Sequence, residues 1–233
     1  MRNRLFILIL LGFLTIGLPM TAAALGMDVE AKAGAGVALG TTDNTSVTGA
    51  ARMAAGGGVG IDLYLLNLGS IDLGVSVGAE YSYLTFHSTW SSYTQGPYTS
   101  DQTADSNYGY LNIPIALVGR VPLTPSIQVV VRAGGFIGYF LGGTSNLSYN
   151  PQITGVFVNG PQTLDTSNTN QWEYGLHFTA GTDIALGGSL IIAPALQFDM
   201  GLTDTTVNST AAGNFKDTFW SLTLVVGIKY RVI

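Results

Sequence analysis

Cysteine is absent from the 233 residues. The chain therefore has no disulfide framework, no thiol nucleophile and no lipid-bearing cysteine. Charge is scarce. Asp, Glu, Lys and Arg make up 10% of the chain, against roughly 25% in ordinary soluble domains. A soluble domain of this size needs a charged outer surface, and these residues are too few to cover one. The balance is acidic, 14 Asp and Glu against 9 Lys and Arg, which argues against a nucleic-acid partner. No HExxH, phosphate-binding loop, dinucleotide fingerprint or EF-hand pattern occurs. Only scattered loop acids (Asp101, Asp105, Asp165) could be considered for a metal, so neither metal nor cofactor is expected. Beyond the first two dozen residues no apolar run is long enough for a membrane-spanning helix of about 20 residues.

What is present begins with the first residues. "MRNR" is basic, "LFILILLGFLTIGL" is apolar, and "PMTAAALG" is a small-residue exit. That order is a secretory signal peptide, expected to cover residues 1–24 with cleavage after Ala24. The mature domain is then 25–233, and it is more acidic than the whole chain because Arg2 and Arg4 leave with the signal.

The ending "SLTLVVGIKYRVI" shows how the rest is patterned. Leu222, Leu224, Val226, Ile228, Tyr230 and Val232 share one face of a strand, and Ser221, Thr223, Val225, Gly227, Lys229 and Arg231 the other. Strand side chains alternate between faces, so one face is oily and the other small, polar or charged. A soluble sandwich would bury the oily face, whereas a membrane barrel turns it to lipid and encloses the charges. Eight such segments can be cut: 28–39, 53–66, 71–86, 109–121, 127–141, 172–186, 190–202 and 218–232. Each is long enough for a tilted membrane strand of about 9–11 residues. Pro114 and Pro194 fall inside two of them, and bulges are expected there.

The connections alternate in length. Three are short, at 67–70, 122–126 and 187–189. Four are long and polar, at 40–52, 87–108, 142–171 and 203–217. Short turns at one end and long loops at the other are the habit of bacterial outer-membrane barrels. Aromatic residues gather at strand ends: Tyr83, Tyr108, Tyr110, Tyr139, Trp172, Tyr174 and Trp220 near the long loops, and Tyr230 at the opposite end. Tyr83, Tyr110, Tyr139, Trp172, Tyr174, Trp220 and Tyr230 are taken as an interfacial girdle. The expected fold is all-β, an eight-stranded antiparallel up-and-down transmembrane β-barrel with long extracellular loops, both ends periplasmic, in the bacterial outer membrane.

The chain resembles the eight-stranded outer-membrane proteins of the OmpA- and OmpX-like superfamily. "YGYLNIPIALVGRVPL" followed by "IQVVVRAGGFIGYFLGG" is similar to central strands of the PorT-like outer membrane protein β-barrel domain. "GIKYRVI" resembles the C-terminal signal read by the barrel assembly machinery, with Gly227, Tyr230 and Val232 matching its glycine and spaced hydrophobics. Ile233 stands where that signal has a terminal aromatic. The resemblance implies insertion by that machinery into outer-membrane lipid, and adhesion, envelope or immune-interaction roles.

Inward parity collects a lumen charge cluster: Glu30, Lys32, Asp62, Asp72, Glu80, Arg120, Arg132, Asp183, Lys229 and Arg231, with Asp28 beside them. Glu30 and Lys32 should face Lys229 and Arg231 across the closing seam. Buried charges are tolerated when paired, so the cluster reads as a salt-bridge plug. Eight strands leave an interior that side chains can fill, though inward glycines leave room for a narrow ion path. Glu173, His177 and Thr179 share one face, but a hydrolase would want a serine and a bilayer-facing site, so no catalytic residue is assigned. His87 is expected in a solvated loop. Loops 87–108 and 142–171 are rich in Ser, Thr, Tyr, Asn and Asp, good contact formers for a protein or glycan. Ile153–Val158 alternates enough to extend a hairpin with an exposed edge. The leading expectation is a non-enzymatic structural or surface-interaction protein. The alternatives are a narrow porin-like channel and, third, a lipid-modifying enzyme.

Overall fold

A computed structural model describes residues 26–42, 47–157, 159–164, 169–205 and 217–232. The expected signal segment 1–24 lies outside them, as does most of the 203–217 connection. The described residues form ten strands and no helix: β1 (Gly26–Thr42), β2 (Val47–Ala50), β3 (Arg52–Asn67), β4 (Asp72–Gln95), β5 (Tyr98–Thr124), β6 (Ile127–Asn150), β7 (Gly160–Leu164), β8 (Trp172–Gly187), β9 (Leu190–Gly201) and β10 (Asp217–Arg231).

Eight of these close a ring in the order β1, β3, β4, β5, β6, β8, β9, β10, every neighbour antiparallel. The seam between β1 and β10 runs unbroken from Asp28–Arg231 to Thr42–Asp217. Closure leaves no edge inside the ring, which is what a spanning sheet requires where no water can satisfy backbone groups. The turns at one end are tight. Leu68 N donates to Ile71 O at 2.8 Å across Gly69, whose φ of 79° suits glycine.

The outward rows are apolar. Val59, Ile115, Leu117, Val131, Leu196, Leu224 and Ile228 are all exposed large hydrophobics; with Tyr81 on β4, Phe178 on β8 and Val37 on β1 they run round the ring. A soluble monomer rarely shows a contiguous apolar patch of more than a few hundred Å². A lipid-facing belt accounts for it.

Three expectations change. First, 87–108 is no loop. β4 and β5 stay paired up to Gln95–Tyr98, turning through Gly96 (φ 62°) and Pro97. Gly followed by a residue of negative φ is a favoured hairpin turn, and "QGPY" was the available signal. β4, β5 and β6, at 24, 27 and 24 residues, outrun a span of about 10 residues, and β2 and β7 flank them. The result is a five-stranded platform, β2-β4-β5-β6-β7, standing above the ring. Second, the platform's extra strand is 160–164 and not the stretch from Ile153. Residues 153–157 form a turn, with Phe157 N donating to Ile153 O at 2.7 Å, while Val158 lies outside the described residues. Third, Pro114 and Pro194 make no bulge. Val77–Ile115 and Glu80–Asn112 keep one register on either side of Pro114, as do Gly181–Ala195 and Ile184–Ile192 around Pro194. Each proline sits where the ladder toward one neighbour lapses, so the missing N–H displaces nothing.

The outward face makes a sharp prediction. Leu224, mid-strand and 59% exposed, should meet the bilayer centre. Leu224→Arg should cost about 2–4 kcal/mol of folding stability, measured by denaturant unfolding from lipid vesicles. A cost near zero would mean that this face meets water.

Candidate functional site: the barrel lumen

The lumen is filled in three levels. The lowest, at the short-turn end, is ionic. Arg132 donates through Nε to Asp62 Oδ1 (3.0 Å) and through Nη2 to Asp62 Oδ2 (2.6 Å) and Glu30 Oε2 (2.8 Å). Lys229, with 0% exposure, contacts Asp183 Oδ1 at 2.9 Å and Asp62 Oδ2 at 3.4 Å. Arg120 bridges Asp72 Oδ2 (2.8 Å) and Asp28 Oδ2 (3.2 Å). Arg231 holds Asp28 Oδ1 at 3.0 Å and Gln128 Oε1 at 3.1 Å. The Arg120 guanidinium also lies 3.8 Å over the Tyr64 ring, a cation–π contact in a dry setting. Seven strands, β1, β3, β4, β5, β6, β8 and β10, contribute side chains. The network therefore ties opposite walls together as well as neighbours.

The seam is subtler than its parity suggests. Glu30 does lie opposite Lys229, but Lys32 lies opposite Gly227. Glu30 reaches across to Arg132 and Lys229 across to Asp62 and Asp183. A long side chain on an inward row spans half the lumen more readily than it folds back onto its neighbour.

The middle level is a hydrogen-bond chain. Lys32 Nζ meets Glu80 Oε1 at 2.7 Å and donates to Gln197 Oε1 at 2.8 Å. Gln197 Nε2 donates to Glu80 Oε2 (3.0 Å) and to Asp199 Oδ2 (2.7 Å). Asp199 Oδ1 then meets His177 Nδ1 at 2.6 Å, and His177 Nε2 meets Thr179 Oγ1 at 3.2 Å. Thr, His and Asp stand in the order of a hydrolytic relay. All three are sequestered between the ionic level below and the level above.

That upper level is aromatic. Phe86 stacks on Phe219 at 4.1 Å, Tyr108 tilts against Phe219 at 4.9 Å, and Tyr110 against Phe140 at 5.5 Å. With Ala38, Ala54 and Leu84 they form a buried apolar cluster. Two small cavities of about 20 Å³ each lie between the levels, each with room for a water or two.

Every residue of the proposed lumen cluster lies in these levels. Glu80 and Lys32 belong to the middle one, and the other eight to the lowest. Of the proposed girdle, Tyr83, Tyr139, Trp172, Tyr174, Trp220 and Tyr230 stand on outward rows. Trp172 packs edge-on against Tyr139 at 5.0 Å, whose hydroxyl accepts from Gln171 Nε2 at 2.6 Å. Tyr110 is corrected. It shares inward parity with Asn112 and is 1% exposed, so it belongs to the aromatic cap. Tyr108 is inward as well. Clustering by strand end had taken precedence over parity. The same parity places Phe86, Phe140 and Phe219 inside, and Tyr64 below Asp62 toward the short-turn end, a signal the sequence carries. His87 is also corrected. It sits on β4 opposite Asp105, with Nδ1 2.8 Å from Asp105 Oδ1, and Arg52 approaches the same carboxylate at 3.5 Å. No group of three or more metal-ligating side chains occurs among the described residues.

A closed eight-stranded ring with an apolar outside and a polar, filled inside defines the small transmembrane β-barrels. The family described as "Outer membrane protein beta-barrel domain" matches residues 25–207, and the chain belongs to it. It is thus an outer-membrane barrel of the kind found in Gram-negative bacteria. Solved structures of similar fold include outer membrane protein OprG from Pseudomonas aeruginosa. That structure has 13% identity, a TM-score of 0.47, and covers 89% of this chain and 96% of its own. The attachment invasion locus protein Ail of Yersinia pestis has 10% identity and a TM-score of 0.39, covering 88% and 99%. The outer membrane protease OmpT of Escherichia coli has 9% and 0.45, covering 88% and 96%. No curated protein sequence matches the chain.

Arg132 is the test of the ionic level. Arg132→Ala leaves Asp62 and Glu30 buried with one fewer cation, which should cost about 3–5 kcal/mol in guanidinium unfolding of the detergent-solubilised barrel. A loss below about 1 kcal/mol, the value of a surface pair, would show that the network is not coupled.

Proposed function

We propose that the protein is a non-catalytic envelope barrel whose working surface is the platform above the membrane, and whose lumen is sealed to hold that platform rigid. The observation that carries this reading is the double seal. An ionic plug and an aromatic cap close the same interior from two ends, and the two cavities between them each admit a water or two. A conducting pore needs a continuous wet path, and a relay such as Thr179–His177–Asp199 needs a route for substrate. The His177 relay serves here to tie β8 to β9.

The platform supports the interaction role. Above the ring its three long strands are rich in Ser, Thr, Tyr and Asn, side chains that form adaptable contacts at modest entropic cost. Tyr98 is exposed at the hairpin tip. Phe157 is fully buried and stacks on Tyr149 at 5.2 Å, while Ser100 Oγ donates to Pro151 O at 2.8 Å, so the 151–157 turn is pinned to the sheet. A preorganised surface loses less freedom on binding than a flexible loop. In this reading the leader 1–24 is removed on export, the assembly machinery inserts the domain into outer-membrane lipid, the short turns face the periplasm, and the partner is an extracellular protein or glycan.

Two measurements test it. In a planar bilayer the purified mature protein should show no discrete conductance steps, and regular ohmic steps would return the porin-like reading to first place. On glycan and matrix-protein arrays, cells displaying the barrel should bind at least one class of spot. Replacing 90–103 by a two-residue turn should remove that binding while leaving heat-modifiable migration in detergent gels intact. Identical profiles for the two would eliminate the platform as the working surface.

A further inference from the structure

Among the described residues, one lumen carboxylate has no hydrogen-bond or ion-pair partner. Asp28, Glu30, Asp62, Asp72, Glu80 and Asp183 each contact Lys or Arg, and Asp199 contacts His177. Glu173 has no hydrogen bond or ion pair among the described residues, though it is 4% exposed. It lines the upper of the two cavities, between the hydrogen-bond chain and the aromatic cap, together with Asn112, Asp199, Ser82 and Ser221.

Asn112 brings a second unpaired atom to the cavity. Asn112 Oδ1 is fully buried without a donor, while its amide nitrogen donates to Ser82 Oγ at 3.0 Å. The Tyr110 hydroxyl, on the same inward row, is buried and unpaired too. Glycine keeps the space open. A Cβ on Gly138 would stand 2.6 Å from Asn112 Oδ1 and 3.6 Å from Glu173 Oε2, and one on Gly201 would collide with Glu173 Oε1. Rotating the Asn112 amide would let its oxygen accept from the Ser82 hydroxyl and turn its nitrogen into the chamber, but an amide brings no charge. The carboxylate would still be uncompensated beside Asp199, and a buried charge without a counter-charge is strongly disfavoured.

The geometry points to a small monovalent cation, sodium, held in this chamber by the Glu173 carboxylate, the Asn112 carbonyl and neighbouring hydroxyl oxygens. Hard oxygen donors of carboxylate, carbonyl and hydroxyl type suit alkali and alkaline-earth cations better than transition metals. The chamber's size admits a bare or singly hydrated ion. The rings of Phe136 and Phe219, which line the same cavity, add π-faces that favour a cation. The ion supplies the positive charge that the sequence omits at this level, and it joins β8, β5 and β4 where no side-chain ion pair does.

The test uses the mature barrel refolded into detergent in sodium chloride or in choline chloride at equal concentration, so that no ion needs to enter a sealed lumen. Choline is too large for a cavity of about 20 Å³. Wild type should melt at a higher temperature in sodium, with a saturable dependence, and should broaden the sodium NMR line. Glu173→Gln should melt at the same temperature in both salts and lose the broadening. Asn112→Ala, which keeps the carboxylate, should raise the half-saturating sodium concentration by about tenfold, the equivalent of one lost ligand of roughly 1.4 kcal/mol. This second variant decides the matter even if Glu173→Gln does not fold. Equal melting of wild type in the two salts would overturn the proposal. So would a Glu173→Gln protein more stable than wild type in both salts, because the carboxylate would then be a buried charge that sodium does not compensate. An Asn112→Ala titration that superimposes on wild type would overturn it as well.

Discussion

The backbone has to satisfy itself. Inside a bilayer no water waits for an unpaired N–H or C=O, and each one left open costs several kcal/mol. Everything else in this protein is subordinate to the ring that meets this demand. The β1–β10 seam joins residues about two hundred positions apart without a break in register, while turns as short as Asn67–Ile71 hold the neighbouring strands. Prolines survive at 114 and 194 because each stands where the ladder to one neighbour lapses without a shift.

Closure creates an interior, and the interior then imposes its own demands. Lipid outside forbids charge on the outward rows, so the chain's few charges concentrate within. They are workable there only in compensating groups. The ionic level meets this by linking walls. Arg132 joins β6 to β3 and β1, and Lys229 joins β10 to β3 and β8. Such links resist flattening of the ring cross-section in a way that neighbour-to-neighbour ladders do not. The aromatic cap works differently: Phe86, Tyr108, Tyr110, Phe140 and Phe219 exclude water without charge at the end where the platform begins. A platform raised on a deformable tube would wander, whereas one raised on a plugged tube is held.

Much of this was readable in advance. Alternation over eight segments gave five ring strands to within three residues, and the lower ends of β4, β5 and β6 as closely, since period two and an oily face admit few alternatives. The same parity placed each of Glu30, Asp62, Arg132 and Lys229 inside. Misplacements arose where a second cue competed with it. Tyr110 looked like a girdle residue because aromatics crowd strand ends, yet its row is inward. The 87–108 stretch looked like a loop because it is polar, yet strands above a membrane have no lipid to face and can be polar on both sides. Bulges were expected at the prolines because one sequence does not show which neighbour's ladder is dispensable.

By itself the sequence determined the architecture: the eight ring strands, which rows face lipid, and which charges enter the lumen. Those follow from local periodicity and from the cost of charge in hydrocarbon, and both act within a single strand. Only the tertiary structure decided who pairs with whom inside. Whether Glu30 answers Lys229 or Arg132, whether His177 finds Asp199, and whether Glu173 finds any cation at all depend on barrel diameter, strand stagger and the reach of each side chain. These quantities appear only when the ring closes and brings opposite walls within a few ångströms.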